Sequence, residues 1–287
     1  AYINEEPAAE LRKSLEKQVV PSDKGLIYLA SFPKSGNTWT RLFLFALFNP
    51  LVRQDSNFNL SDIAGRAGQM DVTFQLFERI LGKPHYEISD IEVAQTMPLA
   101  QKLLALQQEK KVFVKTHLCN GAWHGTRTIG LDTFRSAVYI VRNPLDVTPS
   151  FASHMGTDID GAITGMANST HFIGGRQKKF NLEAAIAAEK QKDEDLSDEE
   201  AEKKALSPGQ IPQLMGSWSE HWASWTAAPD PRVIYMRFED MKHDPADTFY
   251  RTSQHLGLPF SRDDVIAAEE AVKFDKIQAK EKKQGFK

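Results

Sequence analysis

Residues 26–47, LIYLASFPKSGNTWTRLFLFAL, decide the fold class. Leu26 to Ala30 is a short apolar run, and Trp39, Leu42, Phe43, Ala46 and Leu47 then recur at helical spacing. The order is strand, turn, helix. A turn that enters a helix presents unpaired backbone N–H groups and the positive end of the helix dipole. Ser35, Gly36, Asn37 and Thr38 can therefore cradle a phosphate, with Gly36 allowing close approach and Lys34 adding a point charge. The structural alternative is an ordinary Ser-Gly turn with a solvated lysine.

Laid on the pattern GxxxxGK[ST], Ser31 falls on the first glycine, Gly36 on the second, Asn37 on the lysine and Thr38 on the hydroxyl position. The lysine stands three places early, at Lys34. This suits a phosphate cradle and argues against a kinase in which lysine reaches a γ-phosphate beside Mg²⁺.

Working outward, Val112 to Val114, Ala137 to Val141 and Val233 to Phe238 read as further strands. Asn143-Pro144 and Asp244-Pro245 each look like an N-cap and first helical residue, and Gly257 looks like a helix C-terminal stop. Residues 90–109 and 181–204 read as helical, Ser197 with Glu200 forming a capping box and Ser207-Pro208-Gly209 a turn. Continuous apolar strands separated by helices imply a parallel sheet buried on both faces, an α/β fold of three layers in one domain spanning 1–287. Ligands of such sheets bind outside the carboxyl ends of the strands. Lys34, Lys115-Thr116-His117 and Arg142 all follow strand ends and should converge on one crevice. His117 then stands where a general base is expected, and Arg142 with Ser150 makes a second anion site. Taken singly, His117 reads as a structural histidine and Arg142 as half of an ion pair.

At this point the residues resemble the PAPS-dependent sulfotransferases, which move a sulfuryl group from 3′-phosphoadenosine-5′-phosphosulfate (PAPS) to an acceptor. Phe32-Pro33-Lys34-Ser35-Gly36-Asn37-Thr38-Trp39 is similar to the family's 5′-phosphosulfate loop, and Arg142 through Ser150 to its 3′-phosphate motif. Lys115-Thr116-His117 is similar to the segment with its catalytic base, and Phe238-Glu239-Asp240-Met241 to a segment after a late strand. The resemblance implies a P-loop-like three-layer fold and metal-independent transfer to a hydroxyl, or less readily an amine, with release of 3′,5′-ADP. It implies that Lys34 stabilises the leaving phosphate, that Ser35, Gly36, Asn37 and Thr38 hold it, and that Arg142 and Ser150 bind the 3′-phosphate. It further implies that Trp39 and Phe274 contact adenine, that His117 takes the acceptor proton, and that Lys115 assists electrostatically. Trp39 also reads as a core aromatic from its spacing alone. Asn37, Ser219 and Val272 depart from commoner family residues, and no counterpart of the family's Arg-Lys-Gly loop precedes Lys287. An ATP- and Mg²⁺-dependent P-loop-like kinase and a nucleotide-binding protein without turnover stay open as alternatives.

Composition narrows the partners. Among 287 residues, 35 Lys and Arg oppose 38 Asp and Glu, a net charge of −3 that supplies no global field for nucleic acid or anionic lipid. The apolar stretch from Trp39 to Leu51 is interrupted by Thr40, Arg41, Asn49 and Pro50, short of the roughly 18 residues a spanning helix needs. Glu5, Glu6 and Glu10 do not suit a signal peptide, and the lone Cys119 allows no intramolecular disulfide, so a cytoplasmic enzyme is expected. The expected acceptor is a small molecule. Phe58, Phe74, Phe77, Trp123, Phe151 and Phe172 could line its pocket or simply pack the core.

Overall fold

The computed structural model describes residues 7–54, 69–70, 72–174, 182–193, 196–205, 211–277 and 279. Its strands are β1 (Leu26–Ser31), β2 (Gln69–Met70), β3 (Val112–Thr116), β4 (Ala122–Trp123), β5 (Thr126–Arg127), β6 (Phe134–Val141), β7 (Phe172–Ile173), β8 (Gln213–Leu214) and β9 (Val233–Arg237). The helices begin with α1 (Ala8–Lys17), α2 (Asn37–Phe48), α3 (Pro50–Gln54), α4 (Phe74–Leu81), α5 (Asp90–Gln107), α6 (Pro144–Met155) and α7 (Ile159–Met166). They continue with α8 (Leu182–Lys192), α9 (Asp198–Ala205), α10 (Trp218–Thr226), α11 (Phe238–His243), α12 (Pro245–His255) and α13 (Arg262–Ala271).

β2, β3, β1, β6 and β9 lie side by side in that order, every pairing parallel. β1 is central, and all six of its residues are buried because helices cover both faces. Leu26, Tyr28 and Ala30 share one face with Val112, Val114, Ala137 and Tyr139, packed under Leu15 of α1, Phe77 of α4, Met97 of α5 and Trp225 of α10. Ile27 and Leu29 share the other with Phe113, Val138 and Ile140, against Leu42 and Phe43 of α2, Phe249 of α12 and Val265 of α13. The expected three-layer α/β arrangement is therefore the observed one.

Strand ends moved where side-chain pattern and backbone pairing disagree. β3 runs on to Thr116 and β6 starts at Phe134, since the ladder admits polar residues at strand ends. Phe238 is no strand residue; it opens α11. β2 has two residues, too few for any periodicity to be read. The region 181–204, read as helical, holds α8 and α9, the second capped as expected by Ser197, whose hydroxyl accepts from the Glu200 N–H at 3.3 Å. Asn143 accepts the Leu145 N–H at 3.0 Å and Asp244 the Asp247 N–H at 3.1 Å, so both expected N-caps are present. Gly257 is left-handed at φ 64°, as expected of the residue closing α12. Ser207-Pro208-Gly209 lies outside the described residues. Among the described residues no helix is long and apolar enough to cross a membrane.

Gly36 joins β1's loop to α2 at φ 108°, and a Cβ placed there would lie 2.7 Å from Cδ2 of Phe238. Both the backbone conformation and the ring exclude a side chain. Gly36→Ala should lower stability by about 1–3 kcal/mol in urea denaturation, from left-handed strain plus the displaced ring. In a Phe238→Ala background the penalty should shrink to the backbone part. An unchanged midpoint for Gly36→Ala would contradict this account of the loop.

Candidate active site

Three strand-end loops meet at the carboxyl edge of the sheet. The β1 loop turns through Lys34, whose φ of 66° is unusual for a residue with a side chain, and through Gly36. No side chain caps the start of α2, so its first-turn N–H groups face the loop without a side-chain acceptor. Ser35 is fully buried, and its Oγ has no hydrogen-bond partner among the described residues. A buried hydroxyl without a partner at a helix N-terminus fits a site for an anion's oxygen. Asn37 behaves differently. Its amide nitrogen donates back into β1, to Leu29 O at 2.9 Å and Ser31 Oγ at 3.2 Å, so Nδ2 braces the loop, while Oδ1 is buried without a partner among the described residues. Thr38 is half-buried on the first turn of α2.

His117 follows β3 directly and is 6% exposed. Its Nδ1 lies 2.6 Å from Ser31 O. A carbonyl only accepts, so Nδ1 carries the proton and Nε2 keeps its lone pair. Burial, reinforced by the Lys115 charge, pushes the imidazole down to about 3, leaving it neutral at ordinary pH. Lys115 is half-buried and lines a cavity of about 420 Å³ with Phe74, Met97, Thr116, Leu118 and Gln213. His154, on the last turn of α6, is also held below its usual range, first by burial and then by the charges of Lys34 and Lys115. Both lysines thus act on one point beside the crevice.

Arg142, just past β6, donates from Nη1 to Lys34 O at 3.1 Å and lays its guanidinium 4.4 Å from the ring centre of Phe238. Its Nε is buried without a partner among the described residues. With Asp146, Phe238, Glu239, Lys242 and His243 it bounds an open cleft of about 470 Å³. Glu239 accepts the Asn143 N–H at 3.0 Å, which ties the β6 loop to the start of α11. Ser150 sits half-buried on α6, two turns beyond Arg142.

Trp39 takes the core position that its spacing allowed. It is 5% exposed, donates from Nε1 to Val272 O at 2.9 Å, and packs against Phe238, Phe249 and Phe274. The adenine face expected of it is covered by Phe274, whose ring centre lies 5.2 Å away. A base would have to part these two rings. Phe77 and Phe151 are core residues, Phe74 is buried yet lines the cavity beside Lys115, Trp123 packs on Phe172, and Phe58 lies outside the described residues. His171 bonds Gly165 O at 2.7 Å and faces Phe151 rather than the crevice. Sequence reasoning missed Gln213, which accepts the His117 N–H at 2.7 Å, and His221, whose Nε2 lies 3.2 Å from His117 O. They stand 96 and 104 residues from His117, beyond any local pattern.

No curated protein sequence matches the chain. Among solved structures it is similar to mouse sulfotransferase SULT7A1 complexed with PAP, at 18% identity and a TM-score of 0.47, covering 95% of this chain and 72% of that one. It is also similar to retinol dehydratase in a complex with retinol and PAP, at 17% identity and a TM-score of 0.48, covering 96% and 71%. These are distant likenesses. The family model described as the sulfotransferase domain matches residues 24–285, nearly the whole chain and every strand-end loop of the crevice. The protein belongs to the sulfotransferase family.

Proposed function

We propose that the chain, acting as one catalytic unit in the cytoplasm, moves a sulfuryl group from PAPS to a hydroxyl of a small-molecule acceptor and releases 3′,5′-ADP. The observation that carries this reading is the tying together of three loops: Arg142 Nη1 to Lys34 O at 3.1 Å and His117 Nδ1 to Ser31 O at 2.6 Å. Two anion-binding loops and a neutral base thereby share one crevice. Ser35 Oγ and Arg142 Nε, without partners among the described residues, fit a donor that carries phosphate at two separate places.

In this reading the first-turn N–H groups of α2 and Lys34 bear the negative charge that builds on the departing 5′-phosphate. Arg142 and Ser150 hold the 3′-phosphate, and Lys242 adds a second cation to that cleft. Thr38 offers a hydroxyl to the 5′-phosphate, and adenine lies between Trp39 and Phe274 after their rings part. The acceptor oxygen attacks sulfur in line with the leaving oxygen while its proton passes to Nε2 of His117. Lys115, near His117 and lining the cavity, stabilises charge on the transferring group. Among the described residues that cavity is lined by a single cation and no carboxylate, which favours neutral or anionic acceptors of modest size. The kinase alternative lacks the lysine that reaches a γ-phosphate, and no observation favours it.

His117→Ala should cut sulfuryl transfer by roughly 10²- to 10⁴-fold while leaving 3′,5′-ADP affinity close to wild type. Turnover at the wild-type rate would remove His117 from the chemistry. Arg142→Ala should weaken 3′,5′-ADP while leaving 5′-AMP almost unaffected in calorimetric titration, because only the first carries a 3′-phosphate. Equal losses for both would place the arginine's role in the loop alone.

Buried neutral histidines also make stability depend on pH. The folded state holds His117 at about 3 and His221 at about 4, whereas the unfolded chain protonates each near the ordinary imidazole value of 6.5. Between these limits the unfolded state binds more protons, so stability falls as pH drops below 6.5. Each histidine should contribute a slope approaching about 1.4 kcal/mol per pH unit. Urea denaturation between roughly pH 6 and 5 should show this loss, with the slope reduced in His117→Ala. A flat profile in wild type would contradict the buried neutral state.

A further inference from the structure

We propose that His221 is a positioning residue, which fixes the backbone of His117 and thereby aims the His117 imidazole into the crevice. The inference rests on the reading of His117 as the base and extends it to a residue that touches no reacting atom.

β3 ends at Thr116, so the peptide groups of His117 leave the ladder and need other partners. Two side chains supply them. The His117 N–H donates to Gln213 Oε1 at 2.7 Å, and its carbonyl accepts from His221 Nε2 at 3.2 Å. Since that carbonyl cannot donate, Nε2 of His221 carries the proton and Nδ1 is bare. Nδ1 lies 3.0 Å from the Tyr139 hydroxyl, which must then be the donor. Burial raises the Tyr139 phenol above its usual value, keeping that proton in place. Burial also pushes His221 down to about 4, so the ring is neutral and both nitrogens are committed.

The ring is held sideways as well. It stacks on Tyr139 at 5.7 Å between centres and receives the edge contact of Phe32, also at 5.7 Å, from the phosphate loop. His221 is completely buried, so one imidazole touches the phosphate loop, β6 and the backbone of the base. A purely apolar filler would serve the packing and leave the His117 carbonyl unpaired. With that bond lost, the His117 backbone would be held at its N–H by Gln213 alone and the imidazole by Ser31, and displacements of about 1 Å at a reacting group can cost on the order of 10²-fold in rate.

The test is imidazole ¹⁵N NMR on the full chain labelled at histidine, with His117→Ala and His221→Gln spectra assigning the two rings. Wild type should show His117 in the Nδ1–H form and His221 in the Nε2–H form. His221→Phe should move the His117 nitrogens toward the averaged position of a ring exchanging between tautomers. His221→Gln, which keeps an N–H donor, should restore much of the wild-type His117 signal. Affinity for 3′,5′-ADP should stay near wild type in both variants. His117 nitrogens unmoved in a folded His221→Phe protein, or His221 found with its proton on Nδ1, would overturn the inference. The underlying reading fails separately, in a His117→Ala enzyme that keeps its turnover.

Discussion

The approach of Gly36 to the ring of Phe238 is the constraint from which the crevice follows. With no side chain at Gly36, the phosphate loop settles against that ring, where a Cβ would come within 2.7 Å. Phe238 also carries the Arg142 guanidinium at 4.4 Å and meets the edges of Trp39 and Phe274. One aromatic side chain from the β9 end thus sets the spacing between the two loops proposed to bind anions. Cation–π attraction contributes modestly here, on the order of 0.5–2 kcal/mol. Its larger effect is to hold Arg142 extended, with Nη1 on Lys34 O.

The same economy governs the base. A histidine buried beside Lys115 is costly to protonate, so His117 stays neutral and its lone pair is available over a wide pH range. Low basicity is the cost of that availability, since a ring held near 3 is a poor proton acceptor in the ground state. The bond from Nδ1 to Ser31 O works in the other direction and favours the charged form. In the proposed reading, a proton arriving on Nε2 is stabilised by the loop assigned to the departing phosphate, and the proposed base and leaving-group site are coupled through the Ser31 carbonyl.

Much of this was legible locally. The run from Leu26 to Leu47 specifies a buried strand, a turn and a helix within one stretch, and the residues after β1, β3 and β6 fall at the carboxyl edge whatever the details of packing. Trp39 was ambiguous because its helical spacing fits both a core position and a ligand contact. Its burial is decided by Val272, which accepts its N–H from 233 residues away. Asn37 could be read only as part of the cradle, until the structure turned its amide toward Leu29 O. Gln213 and His221 left no trace in the sequence, because a lone Gln and a lone His acquire meaning only when chain reversal brings them against His117. β2 was invisible for a different reason: two residues carry no period.

The central claim is that the crevice recognises a nucleotide with phosphates at both the 3′ and 5′ positions. Calorimetric titration of the wild-type protein with 3′,5′-ADP, 5′-AMP, and ATP with Mg²⁺ tests it without knowledge of the acceptor. The account predicts clear preference for 3′,5′-ADP over both others. Preference for ATP with Mg²⁺, or equal affinity for 3′,5′-ADP and 5′-AMP, would contradict it.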